Sequence, residues 1–208
     1  MKNPPRPPFV VGLAGGTASG KTWLAAHLAA ELGPERCIIL PHDHYYRDRP
    51  DLTAAQRRHL NFDSPDAFET TLLLRHLREL RAGRTVAVPR YRFDISRRAS
   101  ETDLVSPAPI ILVEGLFVLA DARLRRAFDL KVFVDTPADL RLLRRIRRDT
   151  TERGYSLDVV LERYETHARP GHELHVQPSS RHADLVWTQE TAPTFPARLL
   201  ARVKKSAP

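Results

Sequence analysis

The sequence predicts an α/β fold built on a parallel sheet, and three observations predict it. Short apolar runs of strand length alternate with longer stretches of helical period along the 208 residues. The first apolar run ends in a glycine-rich phosphate-binding loop, Gly15-Gly16-Thr17-Ala18-Ser19-Gly20-Lys21-Thr22, which opens directly into a helical stretch. Two later runs end at an acid, Asp43 and Glu114, at the carboxyl end where open parallel sheets bind their ligands.

The bulk properties narrow the function classes. With 42% hydrophobic residues the chain can bury a real core, and its length fits one compact domain over 1–208. The proline-rich residues 1–8 read as a disordered lead. The one cysteine, Cys37, excludes an intramolecular disulfide and fits a reducing compartment. No run approaches about 18 apolar residues, so no membrane span is expected. The start, MKNPPRPP, lacks the apolar core of a signal peptide, which points to the cytoplasm. The net charge of +8 suits polyanionic partners. The basic residues gather over 141–153 rather than in a tail, and aromatics are only 7%, so a nucleotide is expected and nucleic acid is not.

Residues 9–14 (FVVGLA) form the first buried strand. In the loop after it, glycine accepts positive φ, so backbone N–H groups can curl around phosphate oxygens. The helix over 23–32, stopped by Gly33-Pro34, adds partial positive charge there. Lys21 can reach the outer phosphates, and the Thr22 hydroxyl can ligate Mg²⁺. The second strand, 37–40 (CIIL), leads to Asp43, which can take a proton from an attacking hydroxyl or help hold Mg²⁺. His42-Asp43-His44 also reads as a metal trio, but adjacent residues on a strand end point apart and no fourth ligand is placed.

Helices are expected over 53–60 and, after a loop at 61–65, over 66–80, where Leu73, Leu77 and Leu80 stand at helical spacing. Residues 85–89 and 91–93 alternate like short strands, a small β excursion over an acceptor site. Residues 109–113 are the clearest buried strand. Glu114 at its end takes the place of a carboxylate that supports Mg²⁺. The fourth strand is 130–134, and Asp135-Thr136-Pro137 starts a helix. On that helix Arg141, Arg144, Arg145 and Arg148 share a sector of about 100°. Leu140, Leu142, Leu143 and Ile146 occupy the rest. The leucine face is expected to pack and the guanidinium face to clamp phosphate, with Asp149 and Glu152 easing the repulsion. This makes an arginine-rich helical lid over about 137–170. A helix over 157–167 should close at Pro170-Gly171, followed by a loop. His167, His172, His175 and His182 are too irregularly spaced for a metal site. Residues 184–187 form the fifth strand and 195–203 a closing helix.

Taken together, GGTASGKT, HDHYYRD, NFDSPDAF, PRYRF followed by Arg98, ILVEGLF, VFVDTPADLRLLRRIRRDTTERG and RHADLVW resemble the uridine–cytidine kinases. The resemblance runs from about Phe9 to Trp187. It implies the P-loop NTPase fold, with a five-stranded sheet of order 2-3-1-4-5. It also implies ATP with Mg²⁺ and phosphorylation of the 5′-hydroxyl of uridine or cytidine in pyrimidine salvage. Carried over by position, Asp43 resembles the general base, and Lys21, Arg148 and Arg153 act on the phosphoryl group. Gly15, Gly16, Thr17, Ala18, Ser19, Gly20, Lys21 and Thr22 hold ATP, while Thr22, Glu114 and Asp43 support Mg²⁺. Asp63 and Arg145 resemble the ribose ligands, and Tyr46, Phe62, Tyr91 and Phe93 the walls around the base. Members of that family are often dimers or tetramers, which implies a homo-oligomer.

The departures cluster at one end. Ser96 stands where the family carries a histidine, Arg92 where it carries an acid, Tyr155 an arginine and Arg163 a glutamine. Phosphate and ribose recognition match, and base reading does not, so weaker or altered discrimination between uridine and cytidine is expected. The same departures admit a related kinase of another small acceptor. Nicotinamide riboside is one, and ribulose 5-phosphate another, with Arg92 and Arg163 as its anion ligands. A GTPase would need an N-K-x-D stretch and an ABC-type ATPase LSGGQ, and the chain has neither.

Overall fold

A computed structural model of the protein describes residues 7–191 and 193–207, so most of the expected lead lies outside the described residues. The strands are β1 (Phe9–Gly15), β2 (Cys37–Pro41), β3 (Val86–Arg92), β4 (Arg97–Val105), β5 (Ile110–Gly115), β6 (Leu130–Val134) and β7 (Leu185–Trp187). All but β3 and β4 join one parallel sheet of order β2-β5-β1-β6-β7. Numbered among the sheet's own strands, this is the expected 2-3-1-4-5. A parallel sheet is covered on both faces, which is why these strands read as unbroken apolar runs.

Successive residues of β1 serve opposite layers. Val10 packs with Ile111, Val113 and Phe133 against α3 (Thr70–Arg81) and α4 (Ala122–Ala127), through Leu73, Leu77 and Leu124. Val11 and Leu13 pack with Leu112 and Val132 on the other face. There they meet Leu24 and Leu28 of α1 (Lys21–Leu32) and Leu199 and Val203 of α9 (Phe195–Ser206). Among the described residues no helix is long and apolar enough to cross a membrane.

Five elements differ from the expectation. The helix expected from Asp66 starts only at Thr70, because Phe68 is drawn into the core in extended conformation and bridges to Tyr46. The two short runs at 85–93 are one strand with a register shift between Pro89 and Tyr91, and β3 pairs antiparallel with β4. The polar sequence of β4, RRASETDLV, carries no apolar alternation to announce it. A short α2 (Ala54–Arg58) keeps its expected start, where Thr53 and Gln56 form a reciprocal capping box, and ends early.

The fourth difference concerns α6 (Leu157–Arg163). The helical path does not stop at Pro170-Gly171. It runs on through π-type turns at Tyr164–Ala168 and His172–Val176 and the short pieces α7 (Arg169–Gly171) and α8 (Gln177–Ser179). Proline lacks a donor and crowds the carbonyl four residues back. A wider turn before each of Pro170 and Pro178 relieves both problems, so the chain continues.

The fifth is the face of α5 (Ala138–Thr151). Its buried residues are Arg141, Arg145 and Asp149, whereas Leu143 is 57% exposed. Arg141, Arg145 and Asp149 face inward, Leu140, Leu142 and Ile146 are half-buried, and Leu143 is left at the surface. Tertiary partners for the charges, described below, override the usual amphipathic rule.

The turn after β2 buries His42 completely, stacked on Phe68 with ring centroids 4.1 Å apart. Burial pushes its imidazole down to about 4, against the attraction of Asp43 and Asp121. Unfolded, the same group takes its proton near pH 6.5. Between these values the unfolded chain binds more protons, so stability should fall as pH drops from about 6.5 to 4, by about 3 kcal/mol in total. Urea denaturation across this range should show a shallower slope for His42→Phe. An unchanged slope would assign the acid sensitivity elsewhere.

Candidate active site

Strand register gathers the chemistry. Leu13 of β1 stands level with Glu114 of β5, and Glu114 with Pro41 of β2. The phosphate loop, Glu114 and the turn carrying Asp43 therefore emerge at one edge of the sheet. Lys21 and Glu114 are both buried. The Thr22 hydroxyl donates to Glu114 Oε1 at 3.2 Å. Burial raises the Glu114 carboxyl, the Lys21 charge opposes that and Asp43 adds to it. Asp43 Oδ1 is buried with no hydrogen-bond partner among the described residues. A hydroxyl and two carboxylates are the hard oxygen donors that Mg²⁺ prefers, and the orphaned Asp43 oxygen is free to accept a proton.

Three adjoining spaces open at this edge. The first, about 330 Å³, lies between Ser19, Gly20 and Trp23 on one side and Thr136, Arg144, Trp187 and Gln189 on the other. The second is a groove over the loop, lined by Ala18, Lys21, Thr22, Asp43, Glu114, Arg144, Arg148 and Arg153. The third is an aromatic cavity. It contains Tyr46, Phe62, Asp63, Tyr91, Phe93 and Arg145, together with Lys21, Asp43, Arg148 and Arg153 from the groove. These four side chains and Phe93 line both spaces and mark where the groove and the cavity meet.

The aromatic cavity is built from separate elements. Tyr46 lies 5.0 Å from Tyr91 and 5.2 Å from Phe62 between ring centroids, and its hydroxyl donates to Phe62 O at 3.3 Å. Phe93 carries the Arg153 guanidinium 4.9 Å above its ring. The loop bearing Asp63 is pressed against Gly171, where a Cβ would come 2.1 Å from Asp63 O, so only glycine fits. A second close approach lies under the loop. A Cβ on Gly16 would stand 2.8 Å from Arg141 Nη1.

Arg145 and its neighbours explain why α5 turns its charges inward. Asp149, 3% exposed, faces Arg145 Nε at 3.3 Å, Arg148 Nε at 2.8 Å and Arg153 Nη1 at 3.4 Å. Arg145 also reaches Asp63, Nη2 to Oδ2 at 3.5 Å. The buried Asp149 and the half-buried Asp63 thus offset three guanidiniums beside the cavity.

The structure brings the sequence-predicted residues together with one exception. Arg92 pairs with Asp94 at 2.6 Å on the exposed hairpin and does not line the cavity, so it is no anion ligand there. Arg163, its Cζ 4.4 Å over the Tyr155 ring, lines the cavity with Ser96 and Tyr155. Asp149, expected to ease the arginine repulsion, is the hub of three ion pairs, whereas sequence reasoning missed His167 in the same wall and the space beside Trp23 and Trp187. The available signal for that space was a tryptophan on the first turn after the phosphate loop. Trp23 is 56% exposed, 5.9 Å from Trp187, whose Nε1 is buried without a partner among the described residues.

A family model described as the phosphoribulokinase / uridine kinase family matches residues 10–193. The uridine kinase of Chloroflexus aurantiacus is 43% identical over 180 residues, covering 86% of each chain. That of Clostridium tetani is 40% identical over 179 residues, again 86% of each. The phosphoribulokinase structure from Rhodobacter spheroides superposes with a TM-score of 0.62 at 19% identity, over 88% of this chain and 71% of that one, a likeness of fold.

The groove should bind a bare polyphosphate. In calorimetric titrations with tripolyphosphate, Lys21→Ala should weaken binding at least tenfold, roughly 1.4 kcal/mol. Arg92→Ala should leave it within twofold of the wild type. Equal losses in both variants would mean that overall charge, not the groove, holds the anion.

Proposed function

The chain belongs to the phosphoribulokinase / uridine kinase family, and on that premise we propose that it transfers the γ-phosphoryl group of ATP to the 5′-hydroxyl of a pyrimidine nucleoside, uridine before cytidine. The observation that carries this reading is the meeting of groove and aromatic cavity at Lys21, Asp43, Arg148 and Arg153. A phosphate donor on one side and a flat, hydroxyl-bearing acceptor on the other would touch only there.

In this reading the donor's base lies beside Trp23 and Trp187, and its phosphates follow the loop from Gly15 to Thr22. The acceptor's base stacks among Tyr46, Phe62, Tyr91 and Phe93, and its ribose hydroxyls bind Asp63 and Arg145. Asp43 accepts the 5′-hydroxyl proton as that oxygen attacks the γ-phosphorus. The bond to the bridging oxygen breaks, and its electron pair leaves with ADP. Lys21, Arg148 and Arg153 neutralise the charge that develops on the transferring group, the two arginines as part of a lid over about 137–170. Thr22, Glu114 and Asp43 would hold Mg²⁺, whose charge offsets that of the donor's phosphates.

Uridine comes first because of the wall at Ser96, Tyr155, Arg163 and His167. Arginine offers donors only, which suits the carbonyls of uracil and not the amino group of cytosine. The anionic-sugar alternative is weakened, since Arg92 lies outside the cavity. The same reading carries a cytoplasmic setting and a dimer or tetramer.

The test is a panel of acceptors with ATP and Mg²⁺, with products separated by chromatography: uridine, cytidine, nicotinamide riboside and ribulose 5-phosphate. Uridine should give the highest kcat/KM. Turnover of the sugar phosphate alone would overturn the nucleoside reading. Asp43→Asn should lower kcat by at least a thousandfold, about 4 kcal/mol, while ADP affinity stays within threefold. A parallel loss of ADP affinity would make Asp43 chiefly a metal or structural residue.

A further inference from the structure

Asp149 has no part in the transfer described above, yet it organises the groups that do. Its carboxylate gathers Arg145, Arg148 and Arg153 within 3.4 Å. Three guanidiniums held so close around an open cavity repel one another, and the two charges of Asp149 and Asp63 offset only part of that. The surroundings therefore remain positive and suited to a polyanion.

The three arginines are not equivalent. Arg145 is buried between Asp149 and Asp63 and lines the aromatic cavity alone. Arg148 and Arg153 are half-buried and line both the cavity and the phosphate groove. A donor phosphate arriving in the groove brings oxygens within reach of these two and leaves Arg145 where it is.

We propose that Asp149 is a positioning residue whose carboxylate stands in for the donor's phosphate, holding Arg148 and Arg153 at the transfer point until the phosphates take them over. This rests on the kinase reading of the groove. Two opposite effects follow from one group. Asp149 pre-orders the guanidiniums, which speeds transfer. It also competes with the donor for them, which loosens donor binding. A carboxylate that only supported the fold would do neither.

The experiment uses the full chain, with Asp149→Asn and Asp149→Glu. Affinity for the β,γ-methylene analogue of ATP is read by calorimetry, and kcat with uridine by steady-state kinetics. Asp149→Asn keeps the shape and removes the charge. It should bind the analogue about three- to tenfold more tightly and turn over at least tenfold more slowly. Asp149→Glu keeps the charge and displaces the guanidiniums, so analogue affinity should stay within twofold while kcat falls. Unchanged or weaker analogue binding in Asp149→Asn overturns the proposal. If that variant does not fold, a wild-type kcat in Asp149→Glu overturns it instead. Failure of the wild type to bind the analogue at all would sink the kinase reading of the groove, a result separate from any difference between variants.

Discussion

The position of β1 between β5 and β6 is the constraint on which the site depends. Leu13 is level with Glu114 on one side and Val132 on the other, and Glu114 with Pro41 beyond. Parallel strands end at the same edge, so three segments distant in sequence deliver the phosphate loop, a buried acid and the Asp43 turn to one place. A slip of one residue in β5 would turn the Glu114 side chain to the opposite face of the sheet. The apolar packing on both faces fixes that register, and the chemistry inherits its accuracy.

Placing charges at this edge opposes folding, and the molecule answers with pairs. The charge of Lys21 offsets that of the buried Glu114 carboxylate. Arg145 is held between Asp63 and Asp149, and Arg141 donates from Nε to Thr136 O at 2.9 Å. Breaking one partner of such a buried set is costlier than never having built it. The arrangement therefore supports position more than stability. The exposed Leu143 of α5 is the counterpart of this choice, because turning the charges inward puts it at the surface.

What the sequence disclosed follows from how local each signal is. The loop, the five apolar strands and the capped start of α2 depend on neighbours in the chain, and the structure has them where the residues imply. β4 was hidden because its pairing partner, not its own pattern, makes it a strand. The helical path past Pro170 was hidden because the π-type turns that tolerate proline have no simple sequence mark. The face of α5 was misread for a deeper reason. Amphipathic patterning assumes that charges seek water, and here Asp63, from a loop far back in the chain, is what lets Arg145 stay inside. Trp23 and Trp187 meet only because β7 lies beside β6 in the sheet, which no local pattern states.

The central claim is one of orientation: the acceptor lies with its ribose hydroxyls on Asp63 and Arg145 and its 5′-oxygen on Asp43. The position of the transferred phosphate reports this directly. Phosphorus–proton coupling in the NMR spectrum of the product formed from uridine and ATP identifies the oxygen that attacked. Coupling to the two 5′-methylene protons is the predicted result. Coupling to the 2′ or 3′ proton would mean that the nucleoside lies the other way round, and that the roles given to Asp43 and Asp63 are wrong.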